Sequence, residues 1–479
     1  MSLYDRLTAY CGSDAYPFHM PGHKRRAGFM QDPYSFDITE IDGFDNLHHA
    51  TGVLAAAQQA AADLYHSSET HFLVNGSTAG VLAAITASVP PGGLLLMARN
   101  SHRSAWNAAG LLDITAEYLY PVPKGDINGP VRPEDLEDVL RRFSEAPVPD
   151  HGKEKKLPSA VFLTSPTYDG VISDVRAIAE TAHRYGVILI VDEAHGAHFG
   201  MHPAFPPSSV TLGADIVIHS LHKTLPALTQ TALLHVNGDL VDRRKLRRML
   251  SVFQTSSPSY VLMASIDSCI RLLSENGDML FHEYVRRLTH FREHAVFPQF
   301  RLLKTDDPSR ILLQPKNMTA ARLYELLRDR FHLQPEMLSP SYVLLLSSVP
   351  DDEEGFTRLL QALTELNDMP GSLQPVDNAD LLRQAVLFQD RPRVRCSVFR
   401  ALHAEQKTAV FREASGLVSA EYLYLYPPGV PLLVPGEEIT PSVIRRTDAL
   451  LQAGYELQGT DDFTLRTIRT VSCPADSFR

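Results

Sequence analysis

Short apolar runs recur between residues 70 and 236 and alternate with amphipathic segments. Two of these runs, VILIVD and DIVIHS, are apolar almost without interruption. Strands that helices cover on both faces have this composition, because neither face meets water. The pattern predicts seven strands, at His71–Asn75, Leu94–Asn100, Ala116–Tyr120, Ala160–Thr164, Val187–Asp192, Asp215–His219 and Thr231–Val236.

Helical segments with recognisable ends lie between these strands. One begins at Pro133 and continues as EDLEDVLRRF, with its acidic residues first and its arginines last, as the helix dipole favours. Another follows Ser173 and ends at Gly186. Because strands and helices alternate, we expect a large α/β domain with a mostly parallel seven-stranded sheet and helices on both faces.

The pattern changes on either side of this region. After about residue 297, shorter strand-like and helix-like segments predict a smaller α+β domain. They are the strands Arg310–Gln314 and Tyr342–Ser347 and the helices Thr319–Phe331 and Glu354–Leu366. The first sixty residues contain few periodic segments. We therefore expect an N-terminal arm at residues 1–60, the large domain at 61–296 and the C-terminal α+β domain at 297–479.

The charge balance narrows the choice of partners. The chain has 45 Lys and Arg against 56 Asp and Glu, a formal net charge of −11. An acidic chain has no general surface for nucleic acid or for an anionic membrane. The basic run Arg243–Arg248 lies on a helical pattern with Leu246 and Leu250. This pattern favours a solvated helix face over a contact with nucleic acid.

Several features of the chain predict a cytoplasmic location. Its four cysteines lie far apart, so neither a disulfide framework nor a zinc ribbon is indicated. Asp5 and Arg6 stand where a signal peptide would have its apolar core. No run approaches the roughly 18–20 apolar residues of a membrane helix.

The polar stretch Glu145–Pro158, with three lysines, is expected to be a surface loop.

Lys223 differs from the other nine lysines because it follows a buried-looking strand, in the sequence Ser220-Leu221-His222-Lys223-Thr224. Parallel α/β sheets build their ligand crevice at the carboxyl ends of their strands. Burial there lowers the pKa of an amine and makes it a nucleophile toward an aldehyde, with which it forms a Schiff base. Taken alone, the position also fits a lysine that pairs with a carboxylate.

A second motif, VDEAHGAH, places Asp192, Ala194 and His195 at the end of another apolar strand. An aspartate here can hold a cationic ring nitrogen, and a small alanine leaves room for a flat ring. Three other interpretations compete with this one. A DEAH helicase would need a G-x-x-x-x-G-K-[ST] loop, which the chain lacks. His195 and His198 have no third metal ligand nearby, so we expect no metal, and both histidines could be structural.

Two further motifs follow predicted strands. FLVNGSTAG turns from a strand into a helix and offers backbone amides with the hydroxyls of Ser77 and Thr78, which suits a phosphate. RNSHRS places His102 where its ring can stack on another ring or act as an acid or base, and a helix-capping turn is the structural alternative. Each signal alone is weak. Together they form the set that holds pyridoxal 5′-phosphate (PLP) by its phosphate, ring faces, ring nitrogen and aldehyde.

The sequence resembles the Orn/Lys/Arg decarboxylase family, and within it the shorter members from Gram-positive bacteria, which lack the N-terminal wing domain. This resemblance covers residues 18–438 and implies the PLP-dependent aspartate-aminotransferase fold (fold type I). The motifs that carry it are FHMPGHKR, DITEIDGFDNLHHATG, FLVNGSTAG, RNSHRSAW, LTSPTYDGV, VDEAHGAHFG, SLHKTLPALTQTALLH and YLYPPGVPLLVPGE.

The resemblance also implies roles for single residues. Lys223 would form the Schiff base with the cofactor, His222 would flank it, and Asp192 would pair with the pyridine nitrogen. GSTAG has its Ser and Thr in the opposite order from many relatives, but both hydroxyls are present. The other implied contacts are His102 and Ala194 on the ring faces, Ser77, Thr78 and Ser220 on the phosphate, and His195 near the phenolic oxygen or the substrate.

These implications predict an enzyme that decarboxylates a basic amino acid, lysine or arginine before ornithine, in polyamine-related metabolism. At least a homodimer is expected. Another PLP reaction, such as transamination or C–S lysis, and a regulatory PLP-fold protein without turnover stay open. So does the choice between Lys223 and His222 as the proton donor to Cα. Glu437 and Glu438, beyond YPPGVPLLVPG, are candidate carboxylates for the cationic side chain of the substrate.

Overall fold

The structure of the chain is a computed structural model, and it describes residues 10, 12–25, 33–146, 157–369, 382, 386–387, 390–427 and 429–472. Most of the predicted surface loop at 145–158, with its three lysines, lies outside the described residues. Cys269 and Cys396 are buried free thiols. Within the described ranges, no helix has both the length and the apolar character needed to cross a membrane.

A seven-stranded sheet forms the centre of the large domain. Its strands are β2 (Glu69–Leu73), β3 (Leu94–Ala98), β4 (Thr115–Leu119), β5 (Ala160–Thr164), β6 (Ile188–Asp192), β7 (Ile216–Ser220) and β8 (Ala232–Val236). Their order is β2-β8-β7-β6-β5-β3-β4, and only β8 runs antiparallel to its neighbours. This confirms the predicted mostly parallel sheet.

The first of these strands begins and ends two residues earlier than the apolar pattern predicts. The amide of Val74 donates to Oε1 of Gln254 at 2.9 Å, so it takes no part in the sheet. Gly76 then adopts a positive φ of 73°, which glycine tolerates, and turns the chain into the next helix. Tertiary hydrogen bonding thus ends β2 before its apolar run is finished.

Helices cover both faces of this sheet. They are α1 (Val53–Tyr65), α2 (Gly76–Ser88), α3 (Arg103–Leu111), α4 (Pro133–Glu145), α5 (Val175–Arg184), α6 (Leu221–Thr224) and α7 (Arg243–Phe253). Leu95 and Met97 of β3 pack in one apolar cluster with α2, α3 and α7, whereas Leu96 and Ala98 pack in another with α4 and α5. Alternate residues of a strand therefore meet different helix layers, as the period of two requires.

The basic run lies on helix α7. Leu246 and Leu250 are buried against the sheet, while Arg244, Arg247 and Arg248 are exposed. This arrangement confirms an amphipathic helix with its basic residues on the exposed face, and the absence of a nucleic-acid contact stays a prediction.

A 35-residue helix, α8 (Tyr260–His294), leads to a smaller antiparallel sheet of order β12-β13-β10-β9. The sequence analysis did not predict this helix. The strands of the smaller sheet are β9 (Phe300–Leu302), β10 (Arg310–Pro315), β12 (Met337–Leu338) and β13 (Val343–Leu346), and its helices are α9 (Ala320–Glu325) and α10 (Glu353–Asn367).

Residues 390–472 build a further unit with its own apolar cluster, which includes Leu423, Leu433, Leu450 and Ile468. The region predicted as one C-terminal domain thus packs into more than one apolar cluster. The predicted boundaries between the arm, the large domain and the C-terminal domain stay a prediction. The elements of this unit are β14 (Gln406–Val410), β15 (Leu423–Leu425), β16 (Val430–Leu433), β17 (Leu457–Gln458), β18 (Thr467–Val471), α11 (Val398–His403) and α12 (Pro441–Gln452).

Within the N-terminal arm, strand β1 (Tyr16–Phe18) adds in parallel to β11 (Leu333–Pro335), which directly precedes β12. The turn that follows β1 is anchored by Lys24, whose buried Nζ donates to the carbonyl oxygen of Leu346 at 2.7 Å. The arm is thereby fastened to the smaller sheet.

The same turn contacts helix α6 of the large domain. The amide of Gly22 donates to the carbonyl oxygen of His222 at 2.6 Å. A Cβ atom at position 22 would lie 2.8 Å from the backbone nitrogen of Leu225, which is closer than any side chain can approach. Glycine is therefore required where the arm crosses from the smaller sheet to the large one.

Candidate active site

A cavity of about 390 Å³ opens at the carboxyl ends of β5, β6 and β7. Parallel α/β sheets bind their ligands at this edge. The arm, the smaller sheet and the C-terminal unit close the cavity with Met20, Glu336 and Tyr426. Seven of the predicted site residues line it: Ser77, His102, Asp192, Ala194, His195, His222 and Lys223.

Lys223 reaches the cavity from the short helix α6, directly after β7. Its Nζ lies 3.0 Å from Nε2 of His195. Burial lowers the pKa of Lys223 below its usual range; Asp192 and Glu336 oppose this effect, and Arg310 adds to it. The amine is therefore closer to its uncharged, nucleophilic form than a surface lysine would be.

Asp192 ends strand β6 with a buried side chain. The amide of Ala194 donates to its Oδ1 at 3.1 Å. Burial raises the pKa of Asp192, and Lys223 partly offsets this. Among the described residues Asp192 forms no ion pair, so a cationic ring nitrogen would be a suitable partner for this carboxylate.

Two predicted histidines lie beside the amine in their neutral forms. Burial lowers the pKa of His102 to about 3 and that of His222 to about 4. Nδ1 of His222 lies 2.9 Å from the carbonyl oxygen of Thr231. Because a carbonyl oxygen only accepts, His222 carries its hydrogen on Nδ1 and has an acceptor at Nε2. Nδ1 of His102 accepts from the amide of Ser104 at 3.3 Å.

The predicted phosphate-binding residues lie around the start of helix α2. Asn75, its N-cap residue, makes no side-chain hydrogen bond to the helix amides. Ser77 lines the cavity, whereas Thr78 is exposed and Ser220 is buried and does not line it. Oγ of Ser220 is buried and has no hydrogen-bond partner in the described part of the chain. A buried hydroxyl without a hydrogen-bond partner is suited to donate to an oxygen of a ligand.

Tyr168 and Glu336 extend the site from Lys223 toward the smaller sheet. The ring of Tyr168 packs edge-on against His195, with 4.7 Å between the ring centroids. Its hydroxyl donates to Oε1 of Glu336, and the amide of Met20 donates to Oε2 of the same carboxylate at 2.8 Å. Glu336 is thus held in place by both the large domain and the arm.

Asp126 and Asp169 make this end of the cavity more acidic. Oδ2 of Asp126 accepts from Nε2 of Gln314 at 2.6 Å, and Oδ1 of Asp169 accepts from the hydroxyl of Tyr342. Burial raises the pKa of Asp169 to about 6. Across the described ranges, neither of these carboxylates nor Glu336 pairs with a lysine or an arginine.

These three carboxylates are not among the site residues predicted from the sequence. Asp169 follows strand β5 in the motif LTSPTYDGV, so its position after a predicted strand is a signal that could have identified it. Asp126 and Glu336 lie in loops without a recognisable motif. Only the fold brings them to the cavity.

The structure contradicts the expectation that Glu437 or Glu438 binds the cationic side chain of the substrate. Glu437 is fully buried, and its carboxylate accepts from Nη2 of Arg99 at 3.0 Å. Glu438 accepts from Nη2 of Arg395 at 2.6 Å. Neither lines the cavity, and each is already paired with an arginine.

The second histidine of the DEAHGAH motif has a structural partner. Nε2 of His198 lies 3.2 Å from Oδ1 of Asp307, and both side chains are buried. In the described part of the chain, no group of three or more His, Cys, Asp or Glu side chains is arranged to hold a metal ion. The ring contacts of His198 with Phe199 and Phe205 fit a core position.

Comparison of the whole chain with known proteins assigns its family. The Orn/Lys/Arg decarboxylase major domain matches residues 1–326, and the C-terminal domain of the same family matches residues 387–457. An arginine decarboxylase of Bacillus subtilis (strain 168) is 30% identical, over 98% of this chain and 97% of its own. The uncharacterized protein YaaO of the same organism is 31% identical, over 95% of each chain.

Solved structures show the same fold. The Francisella novicida lysine decarboxylase LdcF matches with a TM-score of 0.78 and 19% identity, over 98% of this chain and 80% of its own. The constitutive lysine decarboxylase of Escherichia coli matches with a TM-score of 0.77 and 21% identity, over 98% and 81%.

The fold and the cavity define a PLP-dependent enzyme of fold type I. The chain belongs to the Orn/Lys/Arg decarboxylase family, and its reaction is the decarboxylation of a basic amino acid. The side chains present fit PLP, since the amine of Lys223 and the buried, unpaired carboxylate of Asp192 line one cavity. The buried hydroxyl of Ser220, in the same Ser-Leu-His-Lys segment, has no hydrogen-bond partner among the described residues.

Proposed function

We propose that this chain decarboxylates arginine, with lysine as a poorer substrate and ornithine as a poorer one still. The acidic end of the cavity supports this choice. A guanidinium group is planar and has five N–H donors, so it can bind several carboxylates at once, whereas an ammonium group is a compact charge. Glu336, Asp169 and Asp126 offer such a set, opposite Lys223. The arginine decarboxylase activity named for the Bacillus relatives agrees with it.

The residues predicted from the sequence would hold the cofactor. Lys223 would bind its aldehyde carbon, Asp192 would pair with its ring nitrogen, and His102 and Ala194 would contact its two faces. Ser77, Thr78 and Ser220 would bind its phosphate, and His195 would lie near the phenolic oxygen. When bound, PLP supplies an electron sink for the electron pair that is released as CO₂ leaves. Asp192 supports this by keeping the ring nitrogen protonated.

Lys223, rather than His222, delivers the proton that replaces CO₂ at Cα. His222 is neutral near pH 7 because burial lowers its pKa to about 4, and its only ring hydrogen is held by Thr231. Its Nε2 therefore accepts a hydrogen bond but has no proton to give. The amine of Lys223 lines the cavity, where it would hold and move a proton.

A substrate panel tests the proposal. The purified full chain, loaded with PLP, is incubated with arginine, lysine or ornithine, and CO₂ and the amine product are measured, the amine by its mass. We expect kcat/KM for arginine to exceed that for lysine by about tenfold or more, a difference of about 1.4 kcal/mol. A preference for lysine would contradict the arginine assignment. An absence of CO₂ from all three amino acids would contradict the proposed function as a whole.

We also propose a homodimer in the cytoplasm. Exposed apolar side chains in the N-terminal region, Ile41, Phe44 and Val53, provide a surface that a second copy could cover. The buried free thiols Cys269 and Cys396 suit a reducing compartment. Light scattering of the purified chain tests the dimer, which a monomer mass at micromolar concentration would contradict.

A further inference from the structure

We propose that Arg310 is a positioning residue for Lys223: it fixes the tautomer of His195, and His195 in turn keeps the amine of Lys223 uncharged. This inference rests on the proposed function, in which that amine binds the cofactor aldehyde. Arg310 belongs to no motif of the sequence and does not line the cavity. It begins strand β10 of the smaller sheet and is fully buried.

The contacts of Arg310 decide which nitrogen of His195 accepts. Nη2 of Arg310 donates to the carbonyl oxygen of His195 at 2.8 Å, and it lies 3.4 Å from Nδ1 of the same ring. A guanidinium group stays protonated and has no acceptor. Nδ1 of His195 must therefore accept from it and cannot carry a hydrogen.

The remaining hydrogen of His195 then determines the state of the lysine. Burial, with the charge of Arg310 adding to it, lowers the pKa of His195 well below its ordinary value, so the ring is neutral. A neutral imidazole has one N–H, which here must be on Nε2. Nε2 lies 3.0 Å from Nζ of Lys223. To accept that hydrogen Nζ needs a lone pair, which an ammonium group lacks.

The surroundings are shaped to hold the guanidinium. Gly170, with a φ of 84°, packs against its stem, and a Cβ atom there would lie 2.6 Å from Cγ of Arg310. Nε of Arg310 lies 3.5 Å from Oδ2 of Asp307, which balances its charge. Oδ1 of Asp307 accepts from the hydroxyl of Ser309 at 2.7 Å. The loop after β5 and the start of β10 together fix Arg310 beneath His195.

Several charges act on the amine, and they do not all favour the same form. Asp192 and Glu336 favour the ammonium form, whereas burial and Arg310 favour the uncharged one. His195 is the group in contact with Nζ, so its tautomer can decide the balance. The titratable and charged groups that face Lys223 are Asp192, His195, His102, His222, Arg310 and Glu336.

The experiment measures how fast the full chain, freed of cofactor, captures added PLP, followed by absorbance between pH 6 and 10. In this step Nζ attacks the aldehyde carbon, a C=N bond replaces C=O, and water leaves. We expect Arg310→Met to slow capture at pH 7.5 by about tenfold and to move the midpoint of the pH profile upward, since His195 is then free to accept from an ammonium. Circular dichroism confirms that each variant is folded.

A double variant separates the tautomer from the charge of Arg310. If Arg310 acts through His195, Arg310→Met should slow capture by less than about threefold in a His195→Phe chain, where no ring hydrogen reaches Lys223. An equal slowing in both backgrounds would overturn the proposal, because the charge alone would then explain it. If Arg310→Met does not fold, Arg310→Lys takes its place. This variant keeps a positive charge beside Asp307 but lacks the planar guanidinium group. PLP capture should therefore again be slower than in the unmodified chain.

Arg446→Met serves as the matched control, because Arg446 is a buried arginine that pairs with Asp390 at 3.0 Å outside the cavity. Capture should stay within about twofold of the unmodified chain, and a tenfold loss here would overturn the specific role of Arg310. Failure of the unmodified chain to capture PLP at all would instead contradict the proposed function. The two failures are thereby distinguished.

Discussion

Two walls of the same cavity differ in how the chain builds them. We call one wall the reactive wall; it consists of Asp192, Lys223 and Ser77 at the ends of strands of the large sheet. Each of these residues lies at the end of a strand or within a few positions after it. The recognition wall joins Met20 of the arm to Glu336, two residues that are 316 positions apart. The groups proposed to make bonds are thus placed by local structure, and the groups proposed to select the substrate are placed by distant segments.

This difference predicts a division of labour between the two walls. Changes in the reactive wall should affect the chemistry of every substrate alike. Changes in the recognition wall should affect which substrate is bound, and with what affinity.

The largest effect is expected from Lys223→Ala. Without the amine, turnover should fall by at least about 10⁴-fold, and the absorption band of covalently held PLP should be missing. CO₂ release and the visible spectrum measure the two effects, with Lys304→Ala, an exposed lysine, as the control. A Lys223→Ala chain that keeps the band would remove Lys223 from the reactive wall.

Asp192→Asn should have the next largest effect. An amide cannot keep the ring nitrogen protonated, so kcat should fall by about 10²–10³-fold for arginine and lysine alike. Affinity for PLP, measured by titration, should weaken much less. Equal losses in both quantities would show that Asp192 only holds the cofactor.

Glu336→Gln tests the recognition wall. A hydrogen bond to a charged group contributes about 1.5–3 kcal/mol, so KM for arginine should rise by roughly 10–100-fold while kcat changes little. Steady-state kinetics measure both, and Glu438→Gln, whose carboxylate is paired outside the cavity, is the matched control. A fall in kcat with unchanged KM would place Glu336 in the reactive wall and remove the distinction.

The smallest effect concerns stability at Asp169. The pKa of Asp169 in the folded chain is about 6, above the ordinary value of 3.8. The folded chain therefore binds this proton more tightly than the unfolded chain does. The contribution of this proton to the free energy of unfolding is present at low pH and is lost as the pH rises through about 6. Asp169→Asn should therefore raise the free energy of unfolding by roughly 1–3 kcal/mol at pH 8, with a smaller gain near pH 4. Urea unfolding at the two pH values measures this. A lower stability of the variant at pH 8 would contradict it.

The reactive wall could be predicted from the sequence because each of its elements is short and local. An apolar run marks a strand, and the residue after it marks the edge of the sheet, as for Asp192 and the strand before it. Helix α8 was missed for the opposite reason. Asn276 and Gly277 resemble a turn, but the helix continues because Phe281 and Tyr284 are buried beyond them.

The recognition wall could not be predicted in this way. No periodicity connects Met20 with Glu336, and Glu437 had the better sequence context although Arg99 neutralises it. Which carboxylate stays without an arginine is decided by tertiary packing, and a single sequence does not contain that information in its local pattern.

The arm contact between Met20 and Glu336 also has a consequence during synthesis. The arm leaves the ribosome first, and its partner carboxylate follows 316 residues later. At 5–20 residues per second this delay is about 15–60 s. For that time the glycine-containing turn lacks the smaller sheet as a partner, although helix α6, which ends at Thr224, is made earlier. The pocket for the substrate side chain is therefore completed only late in translation, after the sheet that carries Lys223 has been made.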